Sequence, residues 1–181
     1  GSKNGLEPIS EFYFWSLLMG QSNAYEIPFN IYGDSLSVKV LVPGVASGVL
    51  VGGNLSLICS VMGSKYEVRT ANSILFIEDV GESPYRVDRY LQELKLAGKF
   101  DQINGLIIGR FSRRKTEEPD KPTDFNMEEV FRQYFSELKV PVIYDFPSGH
   151  GSKNISIPFG AKVDINTDNQ LFKLLELPVS I

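Results

Sequence analysis

The chain has 181 residues, 43% of them hydrophobic and 22% charged, with a net charge of −4. That length can bury a proper core, and the balance is that of an ordinary globular protein rather than a disordered one. The acidic balance argues against nucleic acid as a partner, and no apolar run is long enough to span a bilayer, so neither nucleic acid nor membrane is expected. One cysteine, Cys59, excludes an intrachain disulfide and a multi-cysteine zinc site; no metal and no cofactor are expected, and a reducing, cytoplasmic setting is the simplest one.

In chain order, "GSKNG" at residues 1–5 reads as a tag-removal scar. "PISEFYFWSLLMG" predicts a short, well-buried helix from Pro8 to Leu18, with Phe12, Phe14 and Trp15 in core or interdomain packing. "QSNAYEIPFNIYGDS" is polar and rich in turn residues, which predicts a connector. Five short apolar runs, "VKVLVPG", "GVLVGG", "SILFIED", "GLIIGRF" and "VPVIYDF", are bounded by Gly, Asp or Pro and predict buried strands.

Helical patterns lie between them. One covers Leu55 to Met62 and stops at Gly63. A second starts at "ESPYRVDRYLQELKLAGKF", with Ser83 as cap, Pro84 in the first turn, Gly98 at the exit, and Val87, Tyr90, Leu91, Leu94 and Ala97 on the inner face. A third starts at "NMEEVFRQYFSELKV", where Asn126 and Glu129 have capping-box spacing and Pro141 ends the pattern. "AKVDIN", "TDNQ" and "LFKLLE" predict a closing hairpin whose second arm completes the sheet. Strands alternating with helices place the chain in the α/β class.

The chemistry centres on the only histidine, His150, between two glycines in "FPSGHGSKN". A carboxylate can hold an imidazole in one tautomer while the other nitrogen takes a proton. Glu78 and Asp79 end the strand "SILFIED", and His150 follows the strand "VPVIYDF", so both can reach one sheet edge. Adjacent strand residues point to opposite faces; only one of the two acids faces the cleft, and the pattern does not choose between them.

A nucleophile is missing: there is no G-x-S-x-G, P-loop or H-E-x-x-H motif. Ser148 is two residues from His150, about 7 Å in extended chain and too far for a hydrogen bond. Cys59, among Leu57, Ile58, Val61 and Met62, reads as a buried, inert thiol. Two other classes remain open. A self-contained Cys-His hydrolase would be sensitive to thiol reagents. A non-catalytic module would hold an anionic ligand on "GGN" and the arginines around Arg113, although Arg110, Arg113, Arg114 and Lys115 are followed by Glu117, Glu118 and Asp120 and read as a solvated loop.

Taken together and in this order, "GVLVGGNLSLI", "ILFIEDVGESPYRVDRYLQEL", "GLIIGRF" and "PVIYDFPSGHGSKNISIPFG" resemble the C-terminal domain of the LD-carboxypeptidase family, the serine peptidases that include muramoyltetrapeptide carboxypeptidases and microcin C immunity peptidases. The resemblance implies a swivelling β/β/α-type domain, a mixed sheet or barrel-like core with flanking helices, over residues 31–181, with residues 6–30 as an interdomain helix and connector. It implies a Ser-Glu-His triad in which Glu78 and His150 are catalytic and the serine belongs to an N-terminal domain that this chain does not contain, so the chain alone is catalytically incomplete. Asn54 and Arg86 are the candidate substrate-binding residues, with Arg86 alternatively ion-paired to Asp88 or Asp79. The implied reaction is hydrolysis of the L,D bond of murein tetrapeptides, releasing D-alanine in peptidoglycan recycling; cleavage of microcin C-like peptidyl nucleotides is the sister possibility. The implied partners are the protein's own N-terminal domain and a second copy in a homodimer.

Overall fold

Strand "SILFIEDV" is apolar on both faces, and a strand of that kind must be covered from both sides. In the computed structural model, which describes residues 6–21, 25–112 and 126–176, it is the middle of an eight-stranded mixed sheet. The elements in chain order are α1 (Pro8–Leu18), β1 (Glu26–Pro28), a 3-10 turn at Asp34–Leu36, β2 (Lys39–Val42), β3 (Val45–Asn54), α2 (Leu55–Ser60), β4 (Ser73–Val80), α3 (Pro84–Leu96), β5 (Gly105–Ser112), α4 (Met127–Phe135), β6 (Val142–Tyr144), β7 (Lys162–Asn166) and β8 (Leu171–Leu174). The strand order is β1-β8-β7-β3-β4-β5-β6-β2. β3, β4, β5 and β6 run parallel, while β2, β7, β8 and β1 join antiparallel.

The period of two assigns each face. Leu75 and Ile77 of β4 with Leu106 and Ile108 of β5 meet α2, α3 and α4, whose Leu55, Leu91 and Phe135 are fully buried. Ile74 and Phe76 with Ile107 and Ile143 point the other way, to Tyr13 of α1, Tyr25, Ile27 and Phe29 around β1, and Phe146 and Phe172.

The predicted strands, the closing hairpin and the Asn126–Glu129 capping box are all present, the box with both reciprocal hydrogen bonds, but β2 of the "VKVLVPG" run is an edge strand with no fully buried residue. Several expectations are corrected. The "connector" contains β1, an edge strand paired with β8, so β8 is not the last strand on its side. Tyr25, Ile27 and Phe29 alternate into the core, and Pro28 is tolerated because the strand is at an edge.

α1 is not well buried. Its inner face is Ser10, Tyr13 and Ser16, while Phe12 and Trp15 are half-exposed, since Tyr13 alone makes the deep contact, meeting Tyr25 edge to face and donating to the Glu26 carbonyl. Ser83 occupies the cap position of α3 without a side-chain capping bond, and Ala97 is exposed because α3 has already ended there. α4 ends at Phe135, six residues before Pro141. Arg113, Arg114 and Lys115, together with residues 1–5, lie outside the described residues.

Candidate active site

The four parallel strands end on one side of the sheet, and each delivers a polar residue there: Asn54 from β3, Glu78 from β4, Arg110 from β5, and His150 from the loop after β6. Strand ends of this kind are where open α/β sheets place their sites. Asn54 is the direct register partner of Glu78.

Glu78 continues the face of Ile74 and Phe76, away from α2, α3 and α4, whereas Asp79 turns to the face of α2. The two acids consequently do different work. His150 Nδ1 is 2.7 Å from Glu78 Oε2. An ionised carboxylate only accepts, so Nδ1 carries the hydrogen and Nε2 is left as the acceptor of a further proton. The Glu78 side chain is only 9% exposed and the imidazole 52%, which puts the acid inside and the ring at the surface. Asp79 instead accepts the Ser56 backbone N–H at 2.9 Å at the start of α2 and the Asn54 amide at 2.9 Å.

Two glycines make room for the pair. A Cβ on Gly109 would sit 2.6 Å from the Ser148 carbonyl oxygen, 2.7 Å from the Phe76 ring and 3.0 Å from Glu78 Cβ. Gly149, at φ +120, lies flat against Glu78, where a Cβ would meet Oε2 at 3.0 Å. Sequence reading passed over Gly109, although a glycine inside an otherwise apolar strand signals close backbone approach.

A cleft of about 390 Å³ opens beside the pair, lined by Asn54, Phe76, Glu78, Ser148, Asn154 and Phe159 among others. Asn54 is thus in the wall, but much of its side chain is engaged: Oδ1 caps α2 through Leu57 N–H, and Nδ2 donates to Asp79 and, at 3.4 Å, to Glu78. Arg86 is not among the lining residues. It is paired at 3.4 Å with Glu82 one turn earlier, and neither Asp88 nor Asp79 is its partner. Among the described residues, Glu78 is the only hydrogen-bond partner of the His150 ring, and no group of three or more His, Cys, Asp or Glu side chains converges as a metal site. Likewise, no helix among them is long and apolar enough to cross a membrane.

The descriptive model for the LD-carboxypeptidase C-terminal domain matches residues 47–165, a span that contains Asn54, Glu78 and His150. The chain belongs to the LD-carboxypeptidase family. Among curated relatives, the protein of Bacillus subtilis (strain 168) named "Probable murein peptide carboxypeptidase" is 39% identical over 137 residues, covering 75% of this chain and 42% of the relative. The "Murein tetrapeptide carboxypeptidase" of Pseudomonas aeruginosa is 35% identical over 114 residues, covering 62% of this chain and 36% of the relative. The chain therefore spans about two fifths of the length of the curated relatives it matches. Among solved structures, the muramoyltetrapeptide carboxypeptidase from Oxalobacter formigenes shares the fold, with a TM-score of 0.73 over 94% of this chain and 55% of that one at 22% identity. The microcin C7 self immunity protein MccF has a TM-score of 0.69 and 27% identity over 79% of this chain and 42% of that one. The eight-stranded mixed sheet with flanking helices is the fold that the LD-carboxypeptidase resemblance implied.

Cys59 of this LD-carboxypeptidase domain is buried and 3.6 Å from the Tyr90 carbonyl, which its thiol faces. Burial first, then the charges of Glu93 and Asp79, push the thiol up to about 12. A raised thiol pKa depletes the thiolate at every pH below it: on the order of one part in 10⁴ at pH 8, against roughly a quarter for a free thiol. A colourimetric thiol reagent at pH 8 is expected to label the native chain at least a hundredfold more slowly than the urea-unfolded chain. Equal rates would revive the Cys-His alternative.

Proposed function

We propose that this chain is the C-terminal part of a serine LD-carboxypeptidase in which Glu78 and His150 serve a nucleophilic serine supplied by a separate N-terminal α/β domain. The observation that carries this is the 2.7 Å contact between His150 Nδ1 and a nearly buried Glu78, which itself lines the cleft. In the intact enzyme His150 Nε2 takes the serine proton as the hydroxyl attacks the peptide carbonyl and returns it to the leaving amine. Glu78 keeps the ring in the Nδ1–H tautomer and stabilises the imidazolium. Asn54 in the cleft wall contacts the substrate, and Arg86, which does not line the cleft, meets only a substrate that extends beyond it. The half-exposed Phe12 and Trp15 of α1 pack against the N-terminal domain.

The substrate we favour is a murein tetrapeptide whose L,D bond is cut to release D-alanine, a cytoplasmic step of peptidoglycan recycling carried out by a homodimer. The names of the Bacillus and Pseudomonas relatives support this choice. A second reading, cleavage of a peptidyl nucleotide, is favoured by the likeness to MccF, one of whose structures is a complex with glutamyl sulfamoyl guanosine. Released D-alanine and released nucleotide, measured side by side on the full-length protein, separate the two. The expected result is a kcat/KM for the tetrapeptide at least a hundredfold above that for the nucleotide conjugate. The reverse ratio selects the second reading, and no turnover of either would overturn both.

A further inference from the structure

The loop that presents His150 is flanked by Gly149 and Gly151, at φ +120 and +150, and has no regular structure of its own. It is nevertheless held by four hydrogen bonds, one within the loop and three to α1 or β5. Ser10 Oγ, in the first turn of α1, accepts the Asn154 backbone N–H at 3.0 Å. Asn154 Oδ1 in turn accepts the N–H of Gly149, the residue before His150, at 3.1 Å. From the other side the Arg110 backbone N–H reaches the Ser148 carbonyl at 3.1 Å, and its guanidinium donates to the Lys153 carbonyl at 3.1 Å.

The anchor is itself fixed. Glu7 Oε2 accepts from the Ser10 N–H at 3.0 Å, the Ser10 hydroxyl at 3.1 Å and the Tyr32 hydroxyl at 3.1 Å, while the Arg110 and Lys153 cations both lie over the Tyr32 ring. Burial pushes the Glu7 carboxyl up, but the hydrogen bonds from Ser10, Ile9 and Tyr32 outweigh it and hold the group below the usual range, so the anchor is anionic at neutral pH. Ser10 is 3% exposed although it is polar, and its hydroxyl is spent on this contact set.

A surface ring between two glycines would sample many orientations, and a misplacement of about 1 Å in a catalytic group costs on the order of 10²-fold in rate. We infer that Ser10 and Asn154 are positioning residues for His150: α1 and the loop 148–154 form a clamp that sets the imidazole against Glu78. The inference rests on the Ser-Glu-His reading of the site. It assigns to α1, which lies outside the matched family span of residues 47–165, a direct part in the geometry of the reaction.

Because His150 is the only histidine, one ring gives all the imidazole signals in a ¹⁵N-labelled sample of the 181-residue chain. The wild-type chain is expected to show a single Nδ1–H tautomer. Ser10→Ala and Asn154→Ala should move the ring nitrogens toward the mixed tautomers of unconstrained imidazole, and Asn154→Asp, which keeps an acceptor for Gly149, should return them. In the full-length protein, each alanine variant should lower kcat by roughly 10- to 100-fold with KM within about twofold, and the double variant should lose less than the product of the two, because both act on one loop. Asn154 is exposed, so its variants keep the fold and carry the test even if Ser10→Ala does not. Unchanged ring signals and unchanged kcat in the Asn154→Ala chain would overturn the inference. A His150→Ala control that retains turnover would instead overturn the catalytic reading, and the ring signals would still decide whether the clamp exists.

Discussion

Glu78→Gln in the full-length protein is expected to lower kcat for tetrapeptide hydrolysis by about 10³- to 10⁴-fold with little change in KM. The amide is close in size to the carboxylate, so the buried site keeps its packing, but one of its two terminal atoms is now a donor. When the amide N–H faces His150, Nδ1 must accept, the hydrogen moves to Nε2, and the ring can no longer take a proton from the serine. Even with the amide oxygen turned toward Nδ1, the imidazolium formed during attack loses its counter-charge. His150→Ala removes the base altogether and is expected to cost at least as much. The double variant should be no worse than about the His150 variant alone, since residues that act as one unit are strongly non-additive. Steady-state kinetics of D-alanine release checks all three, and wild-type kcat in either single variant would withdraw that residue's role.

Phe146→Ala is expected to destabilise the chain by about 3–5 kcal/mol. The ring is fully buried and packs at a tilt of 58° against Phe172 with centroids 5.1 Å apart, and its backbone N–H is bound to the Ile108 carbonyl. The cavity left behind is walled by the central strands and cannot easily collapse. In a domain of this size the loss corresponds to a fall in melting temperature of about 6–20 °C, readable by circular dichroism. Phe172→Ala, on β8, removes the other ring of the same pair and should cost a similar amount. The two differ in position: Phe146 begins the turn toward Ser148 and His150, so in full-length protein at a temperature where both variants are folded, only Phe146→Ala should also depress kcat. Equal kcat in the two would mean that the loop is held independently of the core.

Much of this arrangement is legible in the residues. β4 announces itself by an unbroken apolar run, α3 by its Pro84 entry and 3.6-residue stripe, α4 by a capping box, and β7–β8 by alternation around a polar turn. The Glu78–His150 pairing follows from the family resemblance and not from periodicity, because the alternation of β4 says that Glu78 and Asp79 diverge without saying which face carries the histidine loop. That becomes decidable only when Ile74 and Phe76 are seen to share the side of Phe146.

β1 escaped for a different reason: it is three residues long and contains a proline, and its signal is the alternation of Tyr25, Ile27 and Phe29 rather than an apolar run. The outward turn of Phe12 and Trp15 was equally hidden. α1 is apolar nearly all round, so its sequence has no preferred inner face, and Ser10 is buried by a partner 144 positions away. Contacts at such separation leave no local trace.

The direction of the four parallel strands has a consequence for how the domain can change. The groups that bear on His150 lie at or beyond their C-terminal ends, while the connections that enter those strands, residues 61–72, 97–104 and 136–141, lie at the opposite rim. The β7–β8 turn lies there too, where Thr167 binds Gly44. Tags, reporter insertions and new chain ends fit that rim at its exposed positions, such as residues 64–66, but not at the buried Thr70, Phe100, Ile103 or Pro141. Change is therefore cheapest at the exposed turns of that rim, whereas at the other edge the glycines that admit the Glu78–His150 pair leave no space for an added methyl group.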